Sequence, residues 1–341
     1  MDEGATDDLD PQLARLLGEG RVADLPPWHA MSVFEARRVE DEAFSAGAGP
    51  PVAAVVDRRI DGPGGDLPVR VYWPEGPVDG AEETLPALVF YHGGGWVLGT
   101  LDSADDICRE FATRLGAVVV SVDYRLAPEH QFPAAVEDAW AAFEWVREHG
   151  ASLGGAGGPD AGLDGPGVDP DVGPRVDPDR IGVAGTSAGG NLAAAVALRA
   201  READVPLAAQ ALCYPILDRD FETPSYRRHA DAVLLSRTDM TWFWDQYLDG
   251  RTDADGPLAA PLRAETLAGL APAAVATAGH DVLRSEGVTY VRRLREAGVA
   301  VCHCHYPSLA HGFLSLTGEV DRAETAMAEV TAAVGAVLSG P

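Results

Sequence analysis

VAGTSAGGNLAAA, residues 183–195, sets one hydroxyl, Ser187, among glycines and alanines. The apolar run RIGVAG (180–185) before it reads as a short strand, and AGGNLAAAVALRARE (188–202) after it reads as a helix. Gly185-Thr186-Ser187-Ala188-Gly189 matches G-x-S-x-G, the nucleophile elbow at a strand-to-helix turn. A turn this sharp strains the backbone at the serine. Side chains two residues before and after it would collide, so both positions are glycine. The turn would leave Ser187 Oγ exposed at the carboxyl end of a sheet, above a helix N-terminus that favours developing negative charge.

A serine hydroxyl is a weak nucleophile at neutral pH and needs a base, which in turn needs an orienting acid. For this elbow the partners follow in the order Ser, acid, His, each just after a strand. Asp281 ends the apolar run APAAVATAGHD (271–281), and His311 follows the last strand in SLAHGF. These two are the expected acid and base. His280 neighbours Asp281 but would point away from it. His303 and His305 lie inside a strand, and His130 and His229 lie in loops. Glu286 is a substitute acid, one helical turn too far along. Donors for a developing oxyanion are expected in YHGGGW (91–96), where successive glycines let backbone N–H groups approach a ligand. Two of Gly93, Gly94 and Gly95, with the Ala188 N–H, would form the hole. His92 is expected to brace that loop.

The rest of the chain alternates strand-like and helix-like runs. VAAVVDRRI and LPVRVYW read as a hairpin across DGPGGD, and PALVFYHGG reads as a buried strand entering a glycine loop. AVVVSVDY, AAQALCYP and VAVCHCHYP read as further strands, and VEDAWAAFEWVREHG, VTYVRRLREAG and ETAMAEVTAAVGAVL read as helices between or after them. This predicts an α/β fold with a mostly parallel central sheet flanked by helices. Two helical segments break the alternation, 1–50 and 217–255, the second holding the aromatic-rich TDMTWFWDQYLDG. They are expected to form a helical cap on a catalytic domain spanning 51–341. Residues 151–178 are almost wholly Gly, Pro, Asp and Ala, with VDPD twice, and are expected to be a flexible insertion loop. The spacing of their aspartates matches no EF-hand.

The formal net charge of −27 would repel nucleic acid and anionic membrane alike, which excludes both as partners. Every basic residue is arginine and no lysine occurs. Many carboxylates without lysine suggest adaptation to high salt, where self-repulsion is screened within about 3 Å. GC-rich codon bias is the alternative. No apolar run reaches the roughly 18 residues of a membrane span. The start, MDEGATDD, is acidic where a secretory signal would be basic and then apolar, so a cytoplasmic location is expected. Cys108, Cys213, Cys302 and Cys304 show no disulfide framework. CHCH (302–305) puts thiols and imidazoles on opposite faces of a strand, so one zinc could not collect all four, and no metal site is expected.

HGGGW, DYRLAPEHQFPAA (123–135), DPDRIGVAGTSAGGNLAA, GHDVLRSEG and AHGF, in this order, resemble the hormone-sensitive-lipase-like (family IV) esterases, with GTSAG placing the chain beside the subgroup of that name. The likeness covers about residues 66–320. It implies an α/β-hydrolase fold with a cap, no cofactor, and a small-molecule carboxylic ester of short to medium chain as substrate. It also implies a homodimer through edge strands. Ser187, Asp281 and His311 match the triad positions. Trp28, Phe34, Trp96, Tyr214, Trp242 and Trp244 are candidate pocket walls, while Arg125 and Glu129 are expected to hold loops. Two alternatives stand beside the serine carboxylesterase. One is a deacetylase of an N- or O-acetylated metabolite. The other is a non-catalytic small-molecule receptor, as in the similar plant gibberellin receptors, which lack the catalytic histidine.

Overall fold

The computed structural model describes residues 8–19, 22–23, 25–45, 49–75, 84–150, 153, 175–248 and 256–339. Among them, eight strands form one sheet: β1 (Ala54–Gly62), β2 (Gly65–Trp73), β3 (Thr84–Tyr91), β4 (Val118–Val122), β5 (Arg175–Thr186), β6 (Ala209–Cys213), β7 (Ala273–His280) and β8 (Val301–Ala310). The helices are α1 (Pro11–Glu19), α2 (Val33–Phe44), α3 (Asp105–Leu115), α4 (Ala134–His149), α5 (Ala188–Glu202), α6 (Pro224–Arg228), α7 (Arg237–Leu248), α8 (Arg284–Glu296) and α9 (Asp321–Leu338). The spatial strand order is β1-β2-β4-β3-β5-β6-β7-β8. The pairs β1–β2 and β2–β4 are antiparallel and the rest parallel.

Side chains alternate across the sheet and build two apolar layers. Ala87, Val89 and Tyr91 of β3 enter one layer with Phe143 of α4, Leu192 of α5 and Leu294 of α8. Leu88 and Phe90 enter the other with Phe111 of α3 and Met327 of α9. Both faces are therefore covered, which is why these strands read as unbroken apolar runs. Gly116 ends α3 in the left-handed region at φ +58°, the glycine stop its position predicts.

Strand order positions the site. From β3 the chain winds outward to β4, and from β5 it winds the other way to β6. The crevice at the carboxyl ends of β3 and β5 is thus the switch point at which α/β sheets bind ligands. The glycine loop leaves β3 there, and Ser187 leaves β5 beside it.

The extra helices divide in use. Helix α1 clamps the body: Asp10 N–H donates to Ser308 O at 2.9 Å, and Gln12 exchanges hydrogen bonds with Asp321 at the start of α9. Helix α2 opens with a capping box between Ser32 and Glu35. Its Arg37 donates to Val97 O at 2.9 Å and grips both oxygens of Glu129 at 2.9 and 2.7 Å. Arg125 holds Asp138 at 2.8 Å through two nitrogens, so Arg125 and Glu129 both hold loops. The two extra segments meet through Trp28 Nε1, which donates to Leu234 O at 3.2 Å, and through His29, whose Nδ1 lies 2.7 Å from Asp239 Oδ1.

Several boundaries shift by a few residues from the sequence reading: α8 opens at Arg284, before VTYVRRLREAG, and β8 runs on to Ala310. Residues 175–178, read as the end of the 151–178 loop, open β5 instead. Arg175 and Val176 pair with Thr84 and Leu85, because Val176 buries its side chain in the first apolar layer. Apart from these and Leu153, which joins the same layer, the 151–178 stretch lies outside the described residues. No helix among the described residues is long and apolar enough to cross a membrane.

Candidate active site

Ser187 caps α5 at φ +55° and ψ −115°, a conformation L-residues seldom adopt. Its surroundings hold it there. Ser187 N–H donates to Cys213 O at 2.9 Å, and its carbonyl accepts from Asn191 N–H at 3.1 Å and Ile216 N–H at 3.2 Å. The buried Asn191 amide donates to Ile216 O at 3.0 Å and Ala259 O at 2.8 Å, tying the helix start to two loops. The flanking glycines answer to this crowding in two ways. A Cβ on Gly185 would lie 2.2 Å from Gly189 O, the collision across the turn that the motif implies. A Cβ on Gly189 would lie 1.9 Å from Tyr91 O, at the end of the neighbouring strand. No flexible side chain can yield at either place. Gly189→Ala is expected to lower stability by about 3 kcal/mol or more and to displace Ser187. Urea unfolding and kcat measured together check this, and a variant with both values intact would refute it.

Three distant stretches converge on the serine hydroxyl. His311 Nε2 lies 3.0 Å from Ser187 Oγ, and His311 Nδ1 lies 2.9 Å from Asp281 Oδ2. A carboxylate can only accept here, so Nδ1 carries the proton and Nε2 is free to accept from the hydroxyl. Asp281 follows β7 directly and is buried, with its Oδ1 accepting from Leu283 N–H at 2.9 Å. His311 follows β8, whose last pairing sets Ala310 against His280. The Tyr214 ring packs edge-on against the imidazole at 5.0 Å. This chain of hydrogen bonds is suited to nucleophilic acyl transfer.

The other titratable candidates are engaged elsewhere. Glu286 Oε2 accepts from Leu217 N–H at 2.7 Å and Asp218 N–H at 2.6 Å, holding the turn after β6. Burial raises its carboxyl well above the usual range. His303 and His305 both reach Thr277 Oγ1, each at 2.9 Å. The His280 ring faces His229 at 5.5 Å. The four cysteines are free thiols.

Above Ser187 lies a cavity of about 140 Å³, lined by Gly93, Gly94, Gly95, His92, Ser187 and His311 at its floor. Gly94 and Gly95 sit at φ +105° and +59°. A Cβ on Gly95 would lie 2.2 Å from the Phe243 ring of α7, so only glycine lets the cap approach this loop. His92 Nδ1 donates to Gly93 O at 2.8 Å, its ring stacks on Tyr124 at 4.2 Å, and Tyr124 OH donates to His92 O at 2.9 Å. Burial pushes His92 down to about 4, so it braces the loop as a neutral ring. Ala188 is the first residue of α5, where N–H groups have no intrahelical acceptor.

The aromatic walls differ from the sequence reading. Trp28 and Tyr214 line the cavity. Trp96 and Trp244 do not: they are fully buried against each other and Tyr247, with Trp96 stacked on Tyr247 at 4.1 Å. Trp242 packs on Phe243 from outside, and Phe34 is 78% exposed on α2. Phe243, Phe44, Leu25 and Leu235 form the wall instead. Glu40 of α2 was also missed. It is one of four acidic residues in α2; its spacing, four residues from both Ala36 and Phe44, sets it on the inward stripe, but its charge does not mark it as buried.

A family model described as the alpha/beta hydrolase fold matches residues 88–315. The chain is 43% identical to an esterase of Mycobacterium tuberculosis, LipI, over 85% of this chain and 84% of the relative. It is 33% identical to an ethyl acetate hydrolase of Pseudomonas putida, over 96% and 98% of the two chains. The crystal structure of a hyperthermophilic esterase from Pyrobaculum calidifontis superposes with a TM-score of 0.82 at 36% identity, covering 96% of this chain and 98% of that one.

Proposed function

The chain belongs to the α/β-hydrolase family, in its hormone-sensitive-lipase-like esterase branch, and on that footing we propose that it is a serine carboxylesterase cleaving short- to medium-chain carboxylic esters. The observation that carries this reading is the hydrogen-bonded line from Asp281 through His311 to Ser187 at the floor of a largely apolar cavity. Ser187 Oγ attacks the ester carbonyl carbon while His311 Nε2 takes its proton. Asp281 holds the imidazole in the right tautomer and stabilises the imidazolium. The Ala188 N–H and two from Gly93, Gly94 and Gly95 receive the oxyanion. The tetrahedral intermediate collapses, the C–O bond to the alcohol breaks, and His311 returns the proton to the departing oxygen. Water then repeats the cycle on the acyl-enzyme and releases the acid. The same line of bonds argues against a non-catalytic receptor, which would have no use for a base on the serine.

Thr186 supports placement in the GTSAG subgroup. A homodimer through β8, the end strand of the sheet, and a cytoplasmic location complete the proposal. So does salt dependence, which the net charge of −27 supports. The test is release of p-nitrophenol from esters of acetate to laurate, in molar salt and in dilute buffer. Rapid release from the short esters, falling with chain length and lost on dialysis into low salt, is the expected result. A folded protein that cleaves no ester would overturn the esterase. Full activity and stability in dilute buffer would overturn the salt dependence alone.

A further inference from the structure

The cavity above Ser187 is apolar over most of its upper wall, where Leu25, Phe44, Ile107 and Phe243 meet. Among the described residues, one carboxylate breaks that surface. Glu40 reaches the cavity from α2 with only 9% of its surface exposed. Its carboxyl lies beside the Ser103 hydroxyl and the Gly99 N–H, which favour its charged form, in the segment just after the glycine loop. Its Oε2 is buried and meets no partner among the described residues. Oε2 is thus an acceptor left unmet on a residue of the cavity wall, an arrangement that disfavours the empty protein and is relieved when a ligand donor arrives.

We propose that Glu40 determines specificity: its unmet oxygen receives a hydroxyl carried on the substrate's acyl or alcohol chain, so that short hydroxy-esters are favoured over plain alkyl esters. The inference rests on the esterase reading and deepens it to a substrate class. A neutral hydroxyl suits the place better than an ammonium group, because burial pushes Glu40 up to about 7 and so disfavours its full charge. An apolar pocket discriminates poorly for or against an added hydroxyl. A site holding a buried polar group discriminates strongly, because the plain analogue leaves that group unpaired.

The test compares kcat/KM by pH-stat in two arms, ethyl 3-hydroxybutyrate against ethyl butyrate, and 3-hydroxypropyl butyrate against propyl butyrate. The wild-type protein is expected to favour the hydroxylated ester about tenfold or more in one arm. Glu40→Leu, or Glu40→Met where leucine does not fold, is expected to bring that ratio to near one. A residue that only clasps the cap would lower both rates together and leave the ratio where it was. A wild type with no preference in either arm overturns the inference without recourse to variants, as does a preference that survives Glu40→Leu. A folded wild type that cleaves none of the four esters overturns the esterase reading as well, whereas cleavage of all four at equal rates overturns the inference alone.

Discussion

Ser187→Ala is expected to lower kcat for p-nitrophenyl butyrate by about a millionfold while leaving the protein folded. The substitution removes one oxygen and nothing else. The contacts that hold residue 187 at φ +55° are backbone hydrogen bonds to Cys213, Asn191 and Ile216, and alanine keeps all three. The Oγ is also the only atom within 3.0 Å of His311 Nε2 that could become the nucleophile among the described residues. Residual turnover would come from the glycine loop and the cavity acting on attacking water. Melting temperature and kcat measured on the same preparation separate chemistry from folding. Retention of a tenth of the wild-type rate would remove Ser187 from the role proposed for it.

Asp281→Asn is expected to reduce kcat by about ten-thousandfold with little effect on KM. The geometry gives the reason. Leu283 N–H donates to Oδ1 at 2.9 Å, so an asparagine would keep its carbonyl oxygen in that place. Its NH2 would then face His311 Nδ1, 2.9 Å away in the native arrangement. Two donors cannot share that bond, so the imidazole would move its proton to Nε2 and lose the ability to accept from Ser187. Glu286 makes no bond to His311 and instead holds the turn after β6, its Oε2 accepting from the N–H groups of Leu217 and Asp218. An Asn variant within tenfold of the wild-type kcat would show that Asp281 does not set the tautomer.

The two variants also separate kinds of information in the chain. The elbow is legible at 183–195 because its causes lie within a few residues: a sharp turn leaves no space for a Cβ at Gly185, and the strand and helix beside it carry their own periodicities. Even there the collision at Gly189 is with Tyr91 O, on a strand almost a hundred positions earlier, which no local pattern contains. Asp281 and His311 are legible by order, each after an apolar run. The cap aromatics are not. TDMTWFWDQYLDG has aromatic residues on several faces of one helix, and periodicity does not say which face turns to the site. The approach of α7 to Gly95 points Phe243 into the cavity and consigns Trp244 to the core.

Short-range sterics and hydrophobic alternation were therefore enough, from residues alone, for the α/β class, the elbow and the order of its partners. Long-range packing alone decided the strand order that sets the glycine loop beside Ser187, the start of β5 at Arg175, the choice of Phe243 over its tryptophan neighbours, and the burial of Glu40. The division has one physical cause. Backbone conformation is limited by atoms a few residues away, whereas the surface a side chain meets depends on which distant segments close over it.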